Sequence, residues 1–246
     1  MTTPASPGRV LNDRQPRPGT WNMAVDEWML EQAVTAGDCL LRWYQWSEPT
    51  ISLGYFQREA ERQSEDPALR RLPHVRRLTG GGAILHHHEL TYACAIPAGH
   101  PLARVPRLIY DQVHQQVIHT LQKWMVPAEI RGTTDATRRG VFLCFGRADE
   151  HDVVLQGYKV LGSAQRRRKG AILQHGSLVL RRSELAPQFP GIFDLGIQEF
   201  SETELRNELT GGLARLLGFP EALEIAVLSA DEQSRVQELL LQSEAR

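Results

Sequence analysis

Residues 76–97 read RRLTGGGAILHHHELTYACAIP, and the rest of the chain is organised around this stretch. Two arginines lead into Gly80, Gly81 and Gly82; His86, His87 and His88 follow, then a β-prone run, LTYACAIP. Glycine has no Cβ, so it admits positive φ and lets a ligand lie close to the backbone. Three in succession leave backbone N–H groups able to point at a carbonyl or phosphate oxygen. A plain turn between two strands is the alternative for such a triplet. The histidines invite a metal, yet successive strand residues face opposite ways, and no acid or cysteine stands at a zinc spacing from them. We expect no metal site, with His86 alone facing into a polar pocket.

Outward from this stretch, the chain has 246 residues, 41% of them hydrophobic and 23% charged, enough to bury a full core. A formal net charge of -1 gives no global pull toward nucleic acid or a membrane surface. No run of about 18 apolar residues and no charged-then-apolar leader is present, so neither a span nor a signal peptide is expected. Cys39, Cys94 and Cys144 are odd in number and widely spaced, which argues against a disulfide framework and for a cytoplasmic setting.

Prolines 4, 7, 16 and 18 predict a flexible tail over residues 1–20. Asn22 is placed to cap a helix through MAVDEWMLEQAV, which Gly37 stops. LLRWYQW (40–46) and TISLGYFQ (50–57) read as strands. Ile109, Val113, Val117, Leu121 and Trp124 form one stripe of a second helix. AEIRG reads as a short strand and TTDATRRG as a polar loop. VFLCF (141–145) and HDVVLQGYKVLGSAQ (151–165) follow as strands, the latter with a hairpin turn at Gln156 and Gly157. RRRKG (166–170) is a basic connection to another strand, AILQHGSLVL. Beyond Pro190, capping boxes at Ser201 to Glu204 and Ser229 to Glu232 start two helices. The pattern is α+β, a mixed and largely antiparallel sheet flanked by helices. Its core is expected over residues 21–190, with a helical extension over 191–246 packed on it.

Cys144 marks where an apolar run gives way to Gly146, Arg147 and Asp149, a setting in which a thiol can serve as nucleophile. Lys159, followed by apolar Val160 and Leu161, can stabilise a thiolate or an oxyanion. Cys94, inside its strand, reads as a small buried hydrophobe, and Cys39 shows no sign of activation. P-loop, dinucleotide and serine-hydrolase fingerprints are absent.

Two stretches, RRLTGGGAILHHHELTYACAIP and GYKVLGSAQRRRKGAILQHGSLVL, closely resemble the paired signatures of the biotin/lipoate protein ligase and octanoyltransferase superfamily. WNMAVDEWMLE and PTISLGYFQ are similar to its N-terminal helix and following strand, and the likeness spans residues 20 to 182. It implies an α/β domain holding an octanoyl or lipoyl chain in a tunnel. Arg76, Gly80, Gly81, Gly82 and His86 match the glycine-loop motif. Lys159, Gly162, Ser163, Ala164 and Gln165 match the G-x-K-x-x-G-S-A-Q motif, whose lysine is the essential one. Gln174, His175, Gly176 and Ser177 match the strand that closes the pocket.

Within the superfamily, LCFG resembles the A-C-F nucleophile motif of the cysteine-dependent octanoyltransferases and puts Cys144 at the sulfur. GRAD stands where that group has D-S-P-S, and His87 where it has Asp. The resemblance implies octanoyl transfer from octanoyl-acyl carrier protein to a lipoyl carrier, either a glycine-cleavage H protein or a 2-oxoacid dehydrogenase E2 domain. Neither cofactor nor nucleic acid nor membrane is expected. An ATP-dependent lipoate ligase, the one reading that needs ATP, and a non-catalytic binder of lipoyl domains are the alternatives. Residues 166–169 are expected to dock the acidic carriers.

Overall fold

The computed structural model describes residues 8–13, 15–62, 65–133, 142–220 and 223–244. In chain order the strands are β1 (Arg9–Asn12), β2 (Leu40–Tyr44), β3 (Thr50–Leu53), β4 (His74–Arg76), β5 (Ile84–His86), β6 (Glu89–Ile96), β7 (Glu129–Ile130), β8 (Val153–Leu155), β9 (Tyr158–Arg168), β10 (Ala171–Val179) and β11 (Glu224–Ala226). The α-helices are α1 (Gly19–Thr35), α2 (Glu59–Arg62), α3 (Pro67–Arg70), α4 (Pro106–Lys123), α5 (Glu202–Leu216) and α6 (Ala230–Glu244).

The main sheet runs β11-β1-β2-β6-β10-β9-β8-β7, parallel at β11-β1-β2 and antiparallel from β2 onward. A second sheet, β4-β3-β5, carries the segment leading into the glycine loop. Strand period decides the layers. Along β6, Tyr92, Cys94 and Ile96 join one core with Ile109, Val113 and Leu121 of α4 and Leu205 and Leu209 of α5. Ala93 and Ala95 join the opposite core, with Val25, Trp28 and Met29 of α1 and Val236 and Leu239 of α6. Helices therefore cover both faces.

Five expectations need correcting. The tail is not loose throughout: Val10 and Leu11 are buried, and Arg9–Asn12 fills the gap between β2 and β11. Helix α1 starts at Gly19, and Asn22 lies buried within it, its amide donating to the Arg17 and Gln45 carbonyls at 3.3 and 3.2 Å. Residues 166–168 are strand, and the turn is only Lys169 and Gly170, at φ 48° and 86°. Gln156 and Gly157, at φ 51° and 82°, make the predicted hairpin turn with the same left-handed pair. The C-terminal extension is not purely helical, because β11 pairs with β1 and continues the main sheet. Finally, Leu143 makes a single bridge to Ala83, and Cys144–Gly146 is a turn of 3-10 helix rather than strand. The TTDATRRG loop and Val141 lie outside the described residues, apart from Thr133.

Candidate active site

The glycine loop is built on Arg77, not on the expected Arg76. Val75 faces inward on β4, so Arg76 lies on the exposed side, donating to the Gly54, Tyr55 and Gln57 carbonyls. Arg77 leaves the strand, turns inward and is 2% exposed. Its guanidinium donates to the Ser52 carbonyl and hydroxyl at 2.6 and 2.7 Å and to the Gly80 and Gly82 carbonyls at 3.0 and 2.9 Å. Burial draws its pKa down to about 10, against the raising influence of Cys144, so it stays charged at neutral pH. Gly81, at φ +91°, has the left-handed backbone that admits glycine without strain.

A mostly apolar cavity opens beside this loop. Met23, Tyr44, Trp46 and Ile84 form its apolar part. Gly80, Gly81, His86, Gly162, Ser163, Ala164, His175 and Gly176 line it as expected, with Cys144 and Lys159. Gly82 and Gln165 do not reach it.

Cys144 is half-buried, and its amide donates to the Ala83 carbonyl at 2.6 Å, which pins the sulfur to the end of the glycine loop. Lys159 reaches it from β9, with Nζ 3.5 Å from Sγ and 2.7 Å from Asp152 Oδ1. Burial works against the Lys159 ammonium, but Cys144 and Asp152 outweigh it and raise its pKa. Lys159 therefore stays protonated, with its ammonium set beside the sulfur. Gly162 makes room for this: a Cβ there would sit 2.4 Å from Lys159 Cε and 2.7 Å from Nζ. Burial pushes Cys39 up to about 12 and Cys94 higher still, so neither is a nucleophile at neutral pH, as their sequence context implied.

The remaining motif residues aim the walls. Gln165 donates to Gln174 Oε1 at 2.7 Å, Gln174 donates to the Tyr92 hydroxyl at 2.7 Å, and Tyr92 meets Ser163 Oγ at 2.8 Å. Ser163 in turn meets His114 Nε2 at 2.7 Å, and His114 Nδ1 donates to the His151 carbonyl at 2.5 Å. That carbonyl accepts only, so it fixes the tautomer and makes Nε2 the acceptor for Ser163. His175 is held by Asp26 at 2.8 Å and Thr79 at 2.7 Å. His86 lies flat on Trp46, centroids 3.7 Å apart, between Ser52 and Glu89. Burial lowers the His86 pKa and so keeps its ring neutral.

Burial of His114 depresses its pKa to about 4 from 6.5. The unfolded chain then binds the extra proton between those values, so stability rises with pH across that window and is lost as pH falls through about 4. The shift corresponds to on the order of 3 kcal/mol. Urea unfolding at about pH 7 and about pH 4.5 should show that loss in the wild type and a flatter profile in His114→Gln.

His87 and His88 stack with centroids 3.6 Å apart and point away from this cavity. The structure revises the sequence expectation that no acid accompanies them: Glu184 brings a third ligand atom, all three lying within 4.8 Å of one another. His87 Nδ1 is already engaged by Ser183 Oγ at 2.9 Å. In the basic run, Arg168 pairs with Glu27 at 3.3 Å and Arg166 lies over the Tyr55 ring at 4.9 Å. Among the residues that build the site, Arg77, Asp152 and Trp46 escaped the sequence reading. For Asp152 there was a signal, an acid at the start of the strand that a two-residue turn folds back onto the strand of Lys159.

An apolar slot with a thiol and an ammonium at one wall suits acyl transfer. Residues 18–192 match the lipoyl protein ligase A/B catalytic domain, and the chain belongs to that family. It is 31% identical to octanoyltransferase LipM of Carboxydothermus hydrogenoformans over 90% of this chain and 88% of that one. LipM of Moorella thermoacetica is 40% identical over 72% of this chain and 66% of its own. Among solved structures, a lipoate-protein ligase A bound with ATP superposes with a TM-score of 0.77 at 21% identity, covering 98% of this chain and 96% of that one. A bipartite lipoate protein ligase from Thermoplasma acidophilum, solved with its E2 lipoyl domain, gives 0.69 at 19%, covering 98% and 94%. These confirm the α+β fold.

Proposed function

We propose that the chain is an octanoyltransferase of lipoate biosynthesis that carries the octanoyl group as a thioester on Cys144. The donor is octanoyl-acyl carrier protein, and the acceptor is a lysine of a lipoyl carrier domain, an E2 domain or a glycine-cleavage H protein. The observation that carries this reading is the Lys159 ammonium 3.5 Å from the Cys144 sulfur in an apolar cavity. The LipM relatives support it by name, and three free cysteines suit a reducing cytoplasm. Among the described residues, no helix is long and apolar enough to cross a membrane.

In the first step the Cys144 thiolate attacks the donor thioester carbonyl. The new C–S bond forms, the donor C–S bond breaks, and the carrier thiolate leaves and takes up a proton. Lys159 holds the developing oxyanion, because it is already charged and needs no reorganisation. In the second step the neutral ε-amine of the acceptor lysine attacks the acyl-enzyme; an amide forms, its extra proton is released, and Cys144 leaves as thiolate. One thioester replaces another, and the amide makes the sequence downhill, so no ATP is consumed. The apolar wall of Met23, Tyr44, Trp46 and Ile84 takes the chain.

Octanoyl-acyl carrier protein, without ATP, should leave an octanoyl adduct on the Cys144 peptide, seen by mass spectrometry. Adding an apo lipoyl domain should then discharge it onto lysine. Transfer that needs ATP and releases AMP would instead make the chain a ligase. Gly162→Ala tests the placement of Lys159, since the new Cβ meets only the flexible end of that side chain. It should still fold, with a Tm lowered by up to about 10 °C as the displaced ammonium loosens from Asp152, and lose on the order of 10²-fold in kcat.

A further inference from the structure

A second, more open cleft shares two residues with the acyl cavity, Phe145 and Lys159. Lys159 thus stands where an apolar space meets a more open polar one, and Phe145, the residue after Cys144, lines both. Arg131, Arg147, Tyr158 and Gln188 contribute the polar lining, and no carboxylate lines it among the described residues. One carboxylate lies beneath it. Asp152 accepts from Lys159 at 2.7 Å through Oδ1 and from the Asp149 amide at 2.9 Å through Oδ2, with Arg131 Nε 3.6 Å from Oδ2. Asp152 thus lies between two cations, Lys159 and Arg131, and Arg131 Nε is buried without a hydrogen-bond partner. Arg147 lies across Gly82, its Nε 2.8 Å from where a Cβ would be, so the same glycine loop positions this guanidinium too.

We propose that this cleft binds the phosphate-bearing arm of the acyl donor, a 4′-phosphopantetheine thioester, with Arg131 and Arg147 receiving its phosphodiester. This rests on the Cys144 thioester reading above. A donor that bridges the two spaces must be apolar on one side of its reactive carbonyl and polar and anionic on the other. An acyl chain joined through sulfur to a phosphorylated arm has that form. Guanidinium groups suit phosphate by charge and by paired N–H geometry. The chemical step is unchanged: the arm leaves as a thiolate and is protonated.

The test compares S-octanoyl-4′-phosphopantetheine with S-octanoyl-pantetheine, which lacks only the phosphate, as donors to the wild-type enzyme. Acylation of Cys144, followed by mass, should be roughly 10- to 100-fold faster with the phosphorylated donor, the size of one or two charge-assisted contacts. In Arg131→Gln and Arg147→Gln the ratio of the two rates should collapse toward unity, whatever happens to each rate alone. Free 4′-phosphopantetheine should inhibit the wild type more strongly than pantetheine, a measurement that needs no variant. Equal rates and equal inhibition in the wild type overturn the assignment. An arginine-dependent preference for octanoyl-AMP over both thioesters also overturns it, by giving the cleft to an acyl adenylate. If neither thioester acylates Cys144, the thioester reading itself falls, and this inference with it.

Discussion

Cys144→Ala is expected to abolish acyl-enzyme formation and to cut octanoyl transfer to a lipoyl domain by at least about 10⁴-fold, as removing a covalent nucleophile does elsewhere. The fold should be untouched. Cys144 is only half-buried, and the contact that fixes its segment is its backbone amide bonded to the Ala83 carbonyl. Alanine keeps that bond, and the lost sulfur leaves space in a cavity that is already open. No other cysteine can substitute, because Cys39 and Cys94 lie in the hydrophobic core on the α4 and α5 side of the sheet. Donor binding should survive, since the apolar wall and the arginine-lined cleft remain. Intact-mass measurement on the purified variant with octanoyl-acyl carrier protein checks this. Acyl transfer at wild-type rate would remove Cys144 from the reaction.

Lys159→Met is the second large effect, and it acts on both activity and stability. Lys159 is 7% exposed and its ammonium pairs with Asp152, itself 3% exposed. Methionine matches the volume but strips the sulfur and the forming oxyanion of their cation, a loss of about 10²- to 10³-fold in kcat. It also removes the nearer of the two cations beside the buried Asp152 carboxylate, an imbalance that costs about 3 kcal/mol or more. Adding Asp152→Asn should recover most of the stability and none of the activity, because the neutral pair restores the buried balance while the reaction still lacks its cation. Denaturant unfolding and single-turnover acylation, run on both variants, separate the two effects. Recovery of activity in the double variant would mean that Lys159 serves only to neutralise Asp152.

Much of the fold could be read along the chain because it rests on period. LTYACAIP alternates its two faces, and β6 sends Tyr92, Cys94 and Ile96 one way and Ala93 and Ala95 the other. The turn at Gln156 and Gly157 was legible because a left-handed pair favours glycine. Local signals failed where distant partners decide. Residues 9–12 carry no strand pattern strong enough to outweigh their neighbouring prolines, yet β2 and β11 offer them two ladders of backbone partners. Asn22 has the chemistry of a cap but meets the Arg17 and Gln45 carbonyls from inside the helix.

By itself, the sequence determined the α+β class through its periods, and, through the family its motifs resemble, the two stretches that meet and the pair Cys144 and Lys159. It could not choose between Arg76 and Arg77, which are chemically identical neighbours. That choice follows from which side of β4 faces the core, and it put Arg77 under the glycine loop. Nor could it supply Asp152 as the partner of Lys159, or the second cleft at Phe145. Those arise where β8, β9 and the turn at Cys144 pack together. The glycine loop thus forms one side of the site through its backbone, and the charges around the Cys144 sulfur come from segments that only folding brings to it.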